Sequence, residues 1–254
     1  MDDFGRQGEK PTHPGLLDWL AVTFRDDDSW SMKRTIRRIV LSSTYRQSAV
    51  AGSDKRARDP DNGFYARGPG QRLIAELVRD NALAISGLLS RKMLGPPVRP
   101  VQPEKVWRVI GEVDNTYYLS KGEDLHRRGI YTLWRRSAHY PSFANFDAPN
   151  RGACTVSRQS SNTPLQALTL MNDPAYVEMA RAFAARIQEE TVNMDTTRRL
   201  AHAFRLALCR NPGADELEVL RKIYFTALDT DGEDAEAWFD VATTLLNLHE
   251  TITK

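Results

Sequence analysis

Apolar side chains return at helical spacing early in the chain. Pro14 suits the first turn of a helix, where its missing N–H costs nothing. The apolar residues after it follow the spacing i, i+1, i+4, i+5, i+8: Leu16, Leu17, Leu20, Ala21 and Phe24. This stripe predicts a first amphipathic helix over residues 14–25.

A second amphipathic pattern begins at Ser31, a residue type that suits the N-cap of a helix. Its apolar face carries Met32, Ile36, Ile39 and Val40, and its basic face carries Lys33, Arg34, Arg37 and Arg38. We expect the basic face to be solvent or partner surface. The next residues, 50–70, are rich in Gly, Pro, Asp and Asn, and are predicted to form an exposed connection rather than a regular element.

The middle of the chain alternates helical stripes with proline-rich connections. An apolar stripe over 73–89 predicts a core helix, and the prolines of the following LGPPVRPVQP stretch end it. Residues 104–122 fit either a helix turn or a small β-hairpin. Helical spacing returns over 124–136, and prolines again punctuate 139–164.

From Thr163 onward the pattern is helical almost to the end. Asn162 or Thr163 can cap a helix that starts with Pro164, and Asp173 before Pro174 repeats this start signal. Three further helices are predicted over 200–208, 217–228 and 234–252. The fold class is therefore all-α: an irregular multi-helix domain with long Pro-rich connections and, as the open alternative, one small β-hairpin.

Charge is distributed unevenly along what we interpret as a single helical domain, residues 1–254. Residues 1–160 hold 26 Lys and Arg against 18 Asp and Glu, whereas residues 161–254 hold 9 against 15. This difference suggests a subdivision into a basic half, 1–160, and an acidic helical half, 161–254. The basic residues are interspersed with acids and form no long run, so we do not expect nucleic-acid binding.

Several classes of protein are excluded by composition. No apolar run is long enough for a membrane span, and residues 1–15 lack the apolar core of an export signal. Two cysteines, Cys154 and Cys209, rule out a disulfide framework and a CxxCH haem attachment. The five histidines show no metal-ligand spacing, so we expect no metal site and no cofactor in this chain.

Polar residues crowd into one irregular segment, residues 146–173. The candidate ligand-binding residues are Asp147, Arg151, Cys154, Arg158, Asn162 and Gln166. Either they form an internal network that fixes the segment to the helices, which we favour, or they line a pocket for an anionic or carbohydrate ligand. Arginines near Cys154 could lower the pKa of its thiol, but we favour a small buried thiol there, and core filling for Cys209.

Three strings together carry a family resemblance: THPGLLDWLA, YRQS and NTPLQALTLMNDP. With them the chain resembles the exported planctomycete family built on domain of unknown function fifteen fifty-three. The resemblance implies the carboxyl-terminal part of a longer exported or periplasmic protein, with a second domain of unknown function and often a cytochrome c domain before it. It implies no established activity. Gly152, Ser157 and His139 depart from the family pattern, which removes acid and base from the one candidate pocket.

We therefore predict a non-catalytic helical scaffold or interaction module of an exported, cytochrome c-associated planctomycete-type protein. Its expected partners are the preceding domains of its parent, which in some members include a cytochrome c domain, and other exported proteins. The alternative is a polysaccharide-acting hydrolase or a carbohydrate-binding protein that uses the region of Asp147 and Arg151, since two carboxylates suffice for glycoside chemistry.

Overall fold

The computed structural model describes residues 5–68, 70–107, 116–155 and 157–253. It is 55% helix and 3% strand, and the described part contains ten α-helices and no sheet. The all-α prediction is confirmed. Residues 108–115, which form the middle of the alternative hairpin over 104–122, lie outside the described residues.

Backbone contacts divide the chain into two compact units, an amino-terminal unit that ends at Gln71 and a carboxyl-terminal unit from Arg72 to Thr253. The first contains helices α1 (Pro14–Asp26), α2 (Met32–Leu41) and α3 (Ser53–Arg58). The second contains α4 (Ala75–Ser86), α5 (Pro141–Asn145), α6 (Pro164–Asn172), α7 (Pro174–Glu190), α8 (Thr196–Leu208), α9 (Ala214–Asp231) and α10 (Asp234–Asn247). The single domain and its subdivision at residue 160 stay predictions.

The amino-terminal unit is organised by a turn between its first two helices. Both helices start where the sequence predicts, with Pro14 in the first turn of α1 and Ser31 at the N-cap of α2. Between them, the Asp28 carboxylate is 3% exposed and accepts hydrogen bonds from Thr35 Oγ1 and Arg38, both at 2.8 Å. The short helix α3 corrects the prediction that 50–70 contains no regular element. Four of its six residues, Lys55, Arg56, Ala57 and Arg58, are good helix formers.

The carboxyl-terminal unit has a closed hydrophobic core. Helices α7 and α10 lie at its centre, and α4, α6, α8 and α9 pack around them. The largest hydrophobic side chains that are fully buried come from these helices and, for Phe143, from α5: Trp238, Tyr176, Phe143, Phe183, Phe204, Leu83, Met179, Ile187, Leu200 and Leu245. Burial of this kind is the main favourable contribution to folding of the unit.

The proline and aspartate signals mark helix starts correctly in this unit. Asp173 caps α7 by accepting from the Ala175 N–H at 2.9 Å, and Pro164 opens α6 after Thr163. Other bounds differ from prediction for local reasons. Helix α9 starts earlier than residue 217 because the Glu216 carboxylate accepts from the Gly213 N–H at 2.7 Å, and α10 ends at Asn247, followed by a 3₁₀ turn over His249–Thr251.

The predicted helical segment over 124–136 is wrong. It forms two short 3₁₀ turns, Gly122–His126 and Gly129–Tyr131, instead of a helix. The physical reason is a pair of buried arginines. Arg79 of α4 donates to the carbonyls of Leu125 and Arg127 at 2.7 Å each, and Arg127 donates to the Leu94 carbonyl. The two bonds from Arg79 engage carbonyl groups inside the segment, and the bond from Arg127 ties its side chain to the proline-rich connection instead.

Among the helices described here, none combines the length and apolar character needed to cross a bilayer.

Candidate functional site

Asp147 lies just after α5 and ties the irregular segment to α6. Its carboxylate accepts hydrogen bonds from the N–H of Ser161 at 2.7 Å and from the Ser161 hydroxyl at 2.8 Å. Gln166, which is buried on α6, donates to the same carboxylate at 3.4 Å and to the Ser161 hydroxyl at 3.1 Å. Asp147 therefore holds the irregular segment against α6, because backbone outside regular structure needs side-chain hydrogen-bond partners.

Arg72 extends this network from the other end of the unit. It donates to Asn162 Oδ1 at 2.9 Å and to Gln166 Oε1. Sequence reasoning missed Arg72, because it precedes Gln166 by 94 positions and no spacing pattern connects the two. The network thus joins three of the predicted residues, namely Asp147, Asn162 and Gln166, through a fourth that was not predicted.

Arg158 belongs to a different contact. Its guanidinium donates to both carboxylate oxygens of Glu76 on α4, at 2.6 and 3.1 Å. Burial alone would raise the pKa of Glu76, but the hydrogen bonds and charge of Arg158 outweigh it and hold the pKa below its usual value. Glu76 was not predicted either, since on its own helix it looks like an ordinary acid in the first turn.

Arg151 and Cys154 are both exposed. The Arg151 guanidinium lies over the Trp134 ring, 4.3 Å from its centroid, in a cation–π contact. The prediction of buried thiols is wrong for both cysteines. Cys154 lies on the exposed irregular segment, and Cys209 sits at the C-cap of α8 with φ of 57°, where the chain turns out of the helix before its side chain reaches the core.

A shallow hollow of about 480 Å³ opens beside these residues. It is lined by Pro149, Arg151, Gly152, Ala153, Cys154, Thr155 and Arg158. This lining contains neither Asp147 nor any other carboxylate, and no imidazole. The predicted site residues therefore separate into two groups, with Asp147, Asn162 and Gln166 in the network and Arg151, Cys154 and Arg158 at the hollow.

Metal-ligand side chains do not converge within the described ranges, where no group of three His, Cys, Asp or Glu residues could hold an ion. Two of the histidines are paired with carboxylates instead. His126 Nε2 lies 2.9 Å from Glu178 Oε1, and His202 Nε2 lies 2.8 Å from Glu190 Oε2.

The amino-terminal unit presents a second candidate site, which we name the α1–α2 face. None of the hydrophobic side chains described in residues 5–68 is buried. Those of the two helices and their connecting turn are largely exposed: Leu16, Leu17, Trp19, Val22, Trp30, Met32, Ile36, Ile39, Val40 and Leu41. Met32 is 70% exposed and Ile36 54%, although both lie on the apolar side of a strongly amphipathic helix. Exposed apolar side chains clustered on neighbouring helices in this way are typical of interaction sites.

In class, this is an all-α protein with one well-packed helical unit and one helical unit whose apolar face is uncovered. The chain belongs to the family described as PSD1, protein of unknown function (DUF1553), whose family model matches residues 1–224. Neither a curated protein nor a solved structure matches the chain.

Proposed function

We propose that this protein is a helical docking module, a non-catalytic scaffold whose α1–α2 face binds another protein. The observation that carries the proposal is that residues 5–68 bury no described hydrophobic side chain while α1 and α2 expose a row of them. Apolar stripes of amphipathic helices stabilise a fold when they are covered. A partner protein on the α1–α2 face would provide that cover.

The polar residues of the carboxyl-terminal unit support a scaffold over an enzyme. The Asp147 carboxylate accepts hydrogen bonds from Ser161 and Gln166, and the Arg158 guanidinium pairs with Glu76. These groups therefore already stabilise the fold. The described lining of the hollow offers no carboxylate. Glycoside hydrolysis needs two carboxyl groups across the scissile bond. The geometry of the hollow therefore gives the polysaccharide-acting alternative no support.

The resemblance to exported planctomycete proteins extends the proposal to location and partners. We propose that the protein is exported or periplasmic, that it holds no cofactor itself, and that its partners are the preceding domains of its parent and other exported proteins. A cytochrome c domain among those partners would carry the haem. Cell fractionation with an antibody against this chain tests the location, and a signal confined to the cytoplasm would contradict it.

Reconstitution tests the docking function directly. The chain and the separately expressed preceding domains of its parent are mixed, and complex formation is measured by light scattering and titration calorimetry. We expect a 1:1 complex that Ile36→Asp with Val40→Asp abolishes, because a buried carboxylate opposes apolar contact.

The matched control is Leu165→Asp with Leu168→Asp, which places two acids on an exposed face of α6 in the other unit. We expect this variant to bind normally. If no complex forms, or if the α6 variant loses binding and the α2 variant keeps it, the docking assignment is wrong.

A further inference from the structure

We infer that the partner surface covering the α1–α2 face is an amphipathic protein helix whose apolar side chains are flanked by Asp and Glu. This inference rests on the proposed docking function and adds the chemistry of the partner. It is carried by the charges next to the exposed apolar stripe of α2.

Basic residues dominate the segment around α2. Residues 29–58 contain eight Lys and Arg and a single Asp. On α2 itself, Lys33 and Arg37 are exposed at one edge of the apolar stripe, and Arg34 is exposed on the opposite side of the helix. None of the three takes part in an ion pair found among the described residues. Positive charges beside an apolar stripe attract a partner of opposite sign and oppose one of the same sign.

One basic residue of α2 is already neutralised. Arg38 donates to the buried Asp28 carboxylate, and the hydrogen bond from Arg38 holds the pKa of Asp28 below its usual value. The same guanidinium lies 5.9 Å from the centre of the Trp19 ring of α1. These contacts connect α2 to the turn after α1 and to one residue of α1 before any partner arrives, and Arg38 is therefore not free to meet a partner's acid.

The length of the stripe fits a helix. Met32, Ile36, Ile39 and Val40 follow each other at i, i+4, i+7 and i+8, which spans about 12 Å at 1.5 Å per residue. A partner helix of about three turns, with apolar residues at i, i+3, i+4 and i+7, matches this length. Acidic residues at the edges of its apolar face would then meet the cations of α2.

A protein fits better than a membrane because the same unit also carries exposed acids. Asp18 lies on α1 and Asp27 directly follows it, and neither takes part in an ion pair found among the described residues. An anionic bilayer attracts the cations of α2 but repels these carboxylates. A protein helix can place its acids against α2 alone.

The test compares synthetic helical peptides with one apolar pattern and different flanking residues. Each peptide has about 18 residues, with leucines at i, i+3, i+4 and i+7 and either Glu, Gln or Lys at the flanking positions. Fluorescence anisotropy measures their binding to the full chain. We expect the Glu peptide to bind at least about tenfold more tightly than the Gln peptide, and the Lys peptide not to bind. Raising the salt from about 0.05 M to about 0.5 M should remove most of this preference, because screening weakens exposed charge pairs.

Two charge-reversal variants locate the effect. Lys33→Glu with Arg37→Glu should lower the affinity for the Glu peptide by about tenfold or more and should allow the Lys peptide to bind. The matched control, Arg56→Glu with Arg58→Glu, makes the same change of net charge on α3. It should change affinity by less than about threefold. Vesicles of phosphatidylserine serve as the membrane probe and should not bind the chain.

The outcomes separate this inference from the docking function. Equal binding of the Glu and Gln peptides, or equal effects of the α2 and α3 variants, would refute the acidic partner while leaving apolar docking intact. Vesicle binding that depends on Lys33 and Arg37 would overturn the protein partner in favour of a lipid surface. If Ile36→Asp with Val40→Asp leaves every peptide affinity unchanged, the α1–α2 face does not dock and the proposed function fails with it.

Discussion

The two units use similar amphipathic helices with opposite results. In the carboxyl-terminal unit the helices α4 and α10 both pack on α7, and Trp238 of α10 is 0% exposed. In the amino-terminal unit α1 and α2 have stripes of the same kind, yet Trp30 between them is 67% exposed. Periodicity thus predicts that a helix has an apolar face, but it does not say what covers that face.

The largest difference should appear when one tryptophan of each unit is removed. Trp238→Ala should lower the free energy of unfolding by about 3–5 kcal/mol, because it leaves a cavity beside Tyr224, whose ring centre is 4.9 Å away. Trp30→Ala should cost less than about 1 kcal/mol, since its ring has only an edge contact with Phe24 to lose. Urea unfolding followed by circular dichroism measures both. If both substitutions lowered the free energy of unfolding equally, Trp30 would contribute to a packed core, and the contrast between the two units would be wrong.

The helices themselves were largely predictable from the sequence. Pro14, Pro164 and the Asp173–Pro174 pair each mark a helix start that the structure confirms. These signals succeed because capping and proline geometry act within one turn of the chain. The amphipathic stripes were predictable for the same reason.

The candidate site was predictable only in part, because its contacts join distant parts of the chain. Asp147, Asn162 and Gln166 do meet, but Arg72, which connects the last two, carries no local signal. The burial of the cysteines was mispredicted because it depends on where a helix stops: one residue beyond Leu208, Cys209 has already left the helix. Burial is a property of the packed structure and not of residue type alone.

An intermediate loss of unfolding free energy is expected when the ion pair between α4 and the irregular segment is broken. Glu76→Gln should lower the free energy of unfolding at pH 7 by about 1–3 kcal/mol, because it weakens the charge-assisted hydrogen bonds from Arg158. The folded-state pKa of Glu76 is lowered, so its stabilisation is complete above the ordinary Glu pKa and is lost as the pH falls through the folded-state pKa. Wild type and variant should therefore converge once the pH has fallen below this lowered pKa. Urea titrations across pH 3–8 measure this, and a difference that persists at low pH would contradict the role of the charge.

The control is Glu104→Gln, which replaces an exposed acid on the proline-rich connection. It should change the free energy of unfolding little at any pH.

The smallest change in the free energy of unfolding, and the most local change in amide exchange, is expected at the turn between α1 and α2. Asp28→Asn keeps the shape of the side chain but removes the charge that holds Arg38. We expect faster amide exchange at positions 28 and 30, whose N–H groups donate to the carbonyls of Thr23 and Phe24, and unchanged exchange in α7 and α10.

Lowering the pH should have the same effect on the wild type. As the pH falls through the depressed pKa of Asp28, these two amides should exchange faster relative to their intrinsic rates, because protonation also breaks the ion pair. Asp18→Asn, which removes an exposed carboxylate from α1, is the matched control and should leave the turn unaffected. Exchange that accelerates equally in α7 and α10 would show that the turn and the core unfold together, and the contrast between the two units would then not hold.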